Sequence, residues 1–359
     1  MNTTVHIREG HENNFTPLRL IMALAVLVGH ALIIGARDLG AEPMIYGDFS
    51  ISYMAVNAFF IASGFLVTAS MMYRGQVGDF VAARGLRIYP ALIAHVLIVM
   101  FVVGLANTTL SFREYLGHWD VWKQIPHVLS FYSTDFVLPG VFAENHEQLA
   151  SAPLWTLRYE ILAYIGTALL FSVGLMKKTW MLAVPFFGAC ALWLLGSATG
   201  LTDEIPDTVR NLMRFGIPYG LGAFIWAYRD QLPFRLWIIP IVIAAAWVSR
   251  DDMFGEIMMN VAVGYILFFL AYAKWPGRTW LSKGWTWPDL SYGTYIWHWP
   301  ILQWMSAQMP GVTTWQLLLV GIPATLLVSW ASWTWVEKPM LAQKSRVSGW
   351  FKKVRPISA

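Results

Sequence analysis

Arg19 and His30 are the first residues in the chain whose types and spacing suggest chemistry. Both interrupt FTPLRLIMALAVLVGHALIIGA, residues 15–36, an apolar run long enough to cross a bilayer, where ionisable side chains are costly and usually functional. They are eleven residues apart, so on a helix the second side chain returns to within about 20° of the first, roughly 16 Å further along the axis. An elongated ligand can therefore touch both. The guanidinium suits an anion, and a neutral imidazole titrates where a general base is useful. The plainer alternative for His30 is a packing hydrogen bond to a neighbouring helix.

Other ionisable residues extend this pair. Arg84 and Arg87 stand one turn apart, and with Arg19 they offer three guanidiniums for phosphate, or else serve as anchors at a membrane boundary. Glu160 is a candidate to orient His30, and the other reading pairs it with Arg158 or another basic residue for structure alone. Arg210 and Arg214 either neutralise Asp207 and Glu204 or line a vestibule for an acidic or hydroxyl-rich substrate. His298, inside SYGTYIWHWP, is a secondary candidate with packing as its alternative. Arg158, Arg214 and His298 together are the candidate substrate-binding residues. The single cysteine, Cys190, excludes an intrachain disulfide framework and any multi-cysteine metal site, and no metal is expected.

The elements that carry these residues follow from composition. Of 359 residues, 57% are hydrophobic and 13% charged, against about 25% charged in soluble domains, which predicts an all-α, polytopic integral membrane protein. Apolar windows fall near residues 16–36, 54–73, 86–106, 153–174, 179–199, 209–228, 234–249, 256–273, 289–306 and 314–336, about ten transmembrane helices. Basic residues gather after the even-numbered windows (Arg74, Arg84 and Arg87; Lys177 and Lys178; Arg229 and Arg235; Lys274, Arg278 and Lys283), and the acidic Asp38, Glu42, Asp48, Asp203, Glu204, Asp207, Asp251, Asp252 and Glu256 fall in the opposite loops. The positive-inside rule then makes both termini cytoplasmic, with Arg19 near the cytoplasmic edge and His30 near the midplane. No cleavable signal peptide is expected.

The net charge of +4 follows this topology, so no nucleic-acid partner is expected. The 20 Trp, 21 Phe and 14 Tyr suit interfacial belts and contact with membrane lipids. Residues 1–340 read as one ten-helix domain and 341–359 as a basic cytoplasmic tail. The external loop 107–152 is unusually long. It either covers an external mouth or rests on the bilayer as an interfacial segment.

Several stretches together resemble acyltransferase family 3, a family of ten-helix membrane proteins. They are Leu18-Arg19-x10-His30, NAFFIASGFL (57–66), RGLRIYP (84–90), LWTLRYEILAY (154–164), LSYGTYIWHWP (290–300) and VEKP (336–339), in the family's order across nearly the whole chain. Two positions depart: Ala58, preceded by Asn57, stands where the family often has Asp, and Thr156 replaces the usual serine.

The resemblance implies a multi-pass protein of the bacterial cytoplasmic (inner) membrane. It would transfer an acyl group, acetyl or succinyl, from cytoplasmic acyl-CoA to a hydroxyl of a glycan or lipid-linked oligosaccharide at the far side. It also makes Arg19 and His30 the family's essential pair, and Arg84 with Arg87 its Arg-x-x-Arg motif. On this reading His30 is the general base, Glu160 its orienter, and Arg19, Arg84 and Arg87 hold the CoA phosphates. Acyl-CoA is a donor substrate, and no permanently bound cofactor is expected. The rival function is a transporter or flippase that uses Arg19 and His30 for substrate or protons.

Overall fold

The computed structural model describes residues 4–7, 13–274, 288–344, 346 and 347. Arg278, Lys283 and most of the basic tail lie outside the described residues. The fold is all-α, with three short two-stranded pairings. Each of the ten apolar windows holds a helix. Among the described residues six are long and apolar enough to cross a membrane: Phe15–Ala36, Ile51–Arg74, Val77–Asn107, Thr179–Thr199, Gly255–Tyr272 and Thr314–Ala342. The other four windows hold Trp155–Ser172, Asp207–Ala227, Ile239–Val248 and Ser291–Gln308, which are shorter or more polar.

Local sequence accounts for the helix limits. The Ser50 hydroxyl accepts from the Tyr53 amide to start Ile51–Arg74, and Gly75, at φ 63°, ends it by donating to the Met71 carbonyl. Thr313 and Gln316 form a reciprocal capping box at the start of Thr314–Ser332.

The chain divides into two compact units. The first comprises Met1–Met22, Met44–Val77 and Leu162–Trp287. Its centre is the crossing of Ile51–Arg74 with Asp207–Ala227, where an added Cβ at Gly64 would strike the Tyr219 carbonyl oxygen and one at Gly222 that of Ile61. The rings of Phe60 and Phe215 stack across this crossing at 4.2 Å, and Phe15 packs on Phe65, Phe268 and Tyr272. The Asn14 side chain donates to the carbonyls of Leu270 and Ala273, which fixes the start of the first helix beside the end of Gly255–Tyr272. Leu192, Leu195, Ile241 and Ile243 leave broad apolar faces exposed, as helices facing lipid do.

The second unit comprises Ala23–Pro43, Gly78–Ile161 and Pro288–Ala359. Its axis is Ser291–Gln308, buried on nearly every side. Leu302 and Trp299 pack against Leu27, Ala31 and Ile34 from the first helix and Leu317 from Thr314–Ser332. This central helix is rich in Trp, Tyr, His, Gln and Ser because its surface meets protein, where such groups find partners, rather than lipid.

The loop 107–152 is folded into this unit. It forms helices Phe112–Gly117 and Trp119–Leu129 and a strand pair, Phe136–Val137 with Leu149–Ser151. Tyr115, Phe136, Leu138 and Phe142 are buried, and the Tyr115 hydroxyl donates to the Met100 carbonyl. Asn145 donates to Gln303, whose amide donates to the Glu147 carbonyl, and the Trp299 indole donates to the Leu149 carbonyl. Trp119 and Tyr132 at the loop's rim are exposed.

Candidate active site

His30 and His298 meet in the second unit. His30 Nδ1 lies 2.7 Å from His298 Nε2, and the two rings stack with centroids 5.0 Å apart. His298 Nδ1 lies 2.9 Å from the Thr294 carbonyl oxygen. A carbonyl only accepts, so Nδ1 of His298 carries a proton and, in the neutral ring, Nε2 presents a lone pair. That lone pair accepts the Nδ1 proton of His30, which leaves Nε2 of His30 as the unprotonated nitrogen. Trp299 meets the His30 ring edge-on at 5.0 Å. His298 is 0% exposed, whereas His30 retains accessible surface. The nitrogen with the lone pair therefore belongs to the reachable ring.

A third histidine lies in the same unit. His95 is 0% exposed, its Nε2 is 2.9 Å from Ser151 Oγ, and its ring lies 4.7 Å from that of Trp297. By the criterion that marks His30, an ionisable residue inside an apolar window, His95 is legible in the sequence, yet it is absent from the sequence-derived site.

The arginines separate into different roles. Arg87 bonds Asp289 at 2.7 Å and Glu337 at 3.4 Å, and its guanidinium lies 5.8 Å from the Tyr292 ring centroid and 5.9 Å from that of Trp333. Tyr292 in turn donates to the Ile88 carbonyl. These contacts tie Val77–Ile98 to the start of Ser291–Gln308 and to the end of the last helix. From Tyr292 to His298 is six residues, roughly 9 Å of helix. Arg84 is half-buried one turn before Arg87.

Arg158 donates from Nε to the Phe131 carbonyl and from a terminal nitrogen to that of Tyr132, each at 2.9 Å. It thus holds a loop turn in which Phe131 has φ 58°. Glu160 is half-buried on the same helix, and the ring hydrogen-bonded to His30 Nδ1 is that of His298. Arg19 belongs to the first unit, five residues after Asn14. Arg210 pairs with Asp207, in line with the neutralising expectation.

Arg214 instead stacks on Tyr53 and Phe215 in the first unit, at 3.8 and 4.4 Å from their centroids. Beside it, Glu256, grouped by sequence with the acidic external loop, lies in the first turn of Gly255–Tyr272 and is 3% exposed. The helix begins at Gly255, early enough to draw this carboxylate inside. Its oxygens accept from Tyr53, Asn57 and Asn260.

An apolar multi-helix chain with six helices long enough to cross a bilayer among its described residues defines a multi-pass membrane protein, and a part-buried histidine pair lies within it. The chain belongs to the acyltransferase domain family, acyltransferase 3, whose model matches residues 14–334. It is therefore a membrane acyltransferase. It is 28% identical over 345 residues to an O-acetyl transferase of Shigella phage Sf6, covering 93% of this chain and 98% of that protein. It is 26% identical over 365 residues to nodulation protein 10 of Rhizobium leguminosarum bv. viciae, covering 94% and 95%. No solved structure matches it.

Proposed function

We propose that this protein transfers an acyl group, acetyl by likeness to the phage O-acetyl transferase, from acyl-CoA to a hydroxyl of an envelope glycan or lipid-linked oligosaccharide. His30 is the general base. The observation that carries this reading is the chain of bonds from Thr294 through His298 to His30, which supports a lone pair on His30 Nε2.

The chemistry balances around that nitrogen. His30 Nε2 takes the hydroxyl proton as the acceptor oxygen attacks the thioester carbonyl, a C–O bond forms, and the C–S bond breaks. The imidazolium then returns the proton to the departing thiolate. General-base assistance of this kind contributes about 10²–10⁴ in rate. His298 holds the useful tautomer of His30, the role the sequence reading gave to Glu160.

On the donor side, Arg19 and Arg84 bind the phosphates of CoA, and the roughly 16 Å between Arg19 and His30 along their common helix matches an extended donor arm. Arg87, matched by Asp289 and Glu337, anchors the Arg84 helix. In this reading all ten helices cross a bacterial inner membrane, with both termini and the basic loops cytoplasmic. The test is transfer of labelled acetyl from acetyl-CoA to an envelope glycan fraction by purified protein in nanodiscs. Label on the glycan with wild type and none with His30→Ala supports the reading. Translocation of a glycan without covalent change overturns it in favour of a transporter.

A further inference from the structure

The first unit contains a polar cluster that the transfer chemistry does not use. Glu256 Oε2 accepts from the Tyr53 hydroxyl at 2.5 Å, and Oε1 accepts from the side-chain amides of Asn57 at 3.1 Å and Asn260 at 2.9 Å. Asn57 and Asn260 are 0% exposed. Arg214 lies over the Tyr53 ring but makes only one long hydrogen bond, 3.5 Å to Asn57 Oδ1, and no ion pair within 4.0 Å among the described residues. The cluster occupies the first turns of Ile51–Arg74 and Gly255–Tyr272 and the second turn of Asp207–Ala227.

Two buried atoms in it have no partner, and they differ in sense. Arg214 Nε–H is a donor without an acceptor, and Asn260 Oδ1 is an acceptor without a donor. Buried polar atoms are almost always satisfied, so each calls for a missing group. A carboxylate or phosphate answers only Arg214, and an ammonium only Asn260. Hydroxyls are a neutral group that can answer either, because they donate and accept. Phe49 meets Tyr53 at 4.8 Å and Tyr46 at 5.6 Å, so a run of packed rings adjoins the polar groups. Arg214 and Tyr53 keep accessible surface.

We infer that Tyr53, Asn57, Arg214, Glu256 and Asn260 form a subsite for a neutral sugar unit. This inference rests on the acyl-transfer reading for its purpose but not for its binding, and the experiment separates the two. Full-length protein in nanodiscs is titrated with a neutral trisaccharide, maltotriose, and with a trigalacturonate, and saturation-transfer NMR reads binding. Arg214→Lys keeps the charge and the stem but loses the Nε–H, and Asn260→Leu removes the orphaned acceptor.

The expected result is saturation of maltotriose by wild type and His30→Ala, at least tenfold weaker in Arg214→Lys and Asn260→Leu, with weaker saturation of the charged sugar throughout. Should Asn260→Leu fail to accumulate, Arg214→Lys alone carries the comparison. Three outcomes overturn the subsite. They are saturation of neither sugar by wild type, variants that bind as wild type does, in which case the two atoms hold a structural water only, and tighter binding of the trigalacturonate. If wild type binds maltotriose but transfers no acyl group to any glycan, the transfer reading falls and the subsite stands.

Discussion

His30 and His298 stand 268 positions apart in sequence, yet a nitrogen of one lies 2.7 Å from a nitrogen of the other. The bond makes the protonation of one ring depend on the tautomer of the other. His298→Phe should keep an aromatic ring at this position but release the His30 tautomer. The expected outcome is a fall in kcat of about 10²-fold with KM for acyl-CoA within twofold, since general-base assistance is worth about 10²–10⁴. His298→Gln, whose carbonyl can still accept from His30 Nδ1, should recover part of the loss. A pure packing role would show the reverse order, Phe above Gln. Steady-state kinetics on the three proteins measure it.

Arg87 neutralises two carboxylates, one of them, Glu337, almost wholly buried. Removing one partner of a buried pair leaves an uncompensated charge, at a cost on the order of 3 kcal/mol. Arg87→Ala should therefore lower the thermal unfolding midpoint of the purified protein. Adding Glu337→Gln to Arg87→Ala should restore part of it. A direct phosphate contact by Arg87 would instead appear as a loss of acyl-CoA affinity that the second substitution leaves unrepaired.

Arg158 supplies two donors to the carbonyls of Phe131 and Tyr132. Hydrogen bonds to a charged group contribute roughly 1.5–3 kcal/mol, and here they hold a turn with Phe131 in the left-handed region. Arg158→Met should leave the helix in place and loosen the turn. Limited proteolysis should cut near residues 130–135 several-fold faster than in wild type. If Arg158 serves substrate instead, the cutting rate will not change while KM for the acceptor rises.

The loop also carries a pH-dependent cap. The Ser111 hydroxyl and amide donate to Glu114 and hold its carboxyl below its ordinary value of 4.5. A depressed carboxyl stabilises the fold above its unfolded pKa and loses that effect as pH falls through the folded value. Glu114→Gln should therefore speed hydrogen exchange in residues 108–117 at pH 6. The difference from wild type at the same pH should shrink towards zero near pH 3.

Much of the fold is legible because lipid imposes length and apolarity on the helices it touches. All ten apolar windows hold helices, and Arg19 and His30 fall on one of them. Pairing between distant segments is less legible. Nothing in LSYGTYIWHWP alone says that His298 meets His30, and the helical spacing that aligns Arg19 with His30 carries no information about a neighbouring helix. Glu256 is hidden for a local reason, because it follows Asp251 and Asp252 so closely that it reads as one more loop acid, while the helix begins just early enough to bury it. Arg158 illustrates the converse. It stands beside Glu160 in a family-like motif, and nothing in that motif announces that its donors meet the carbonyls of a loop some 26 residues upstream.

The Ser291–Gln308 helix, sheathed by its neighbours, bears on biogenesis. A segment with His298, Gln303 and several hydroxyls gains little free energy by partitioning alone from the translocon into lipid. Its stability therefore depends on its neighbours: the first helix, which offers Leu27, Ala31 and His30, and the more apolar Thr314–Ser332 that follows within a few residues. The helix that carries His298 is thus among the last to be secured during synthesis. The histidine pair, whose members stand 268 positions apart, forms only after both of its helices have been made.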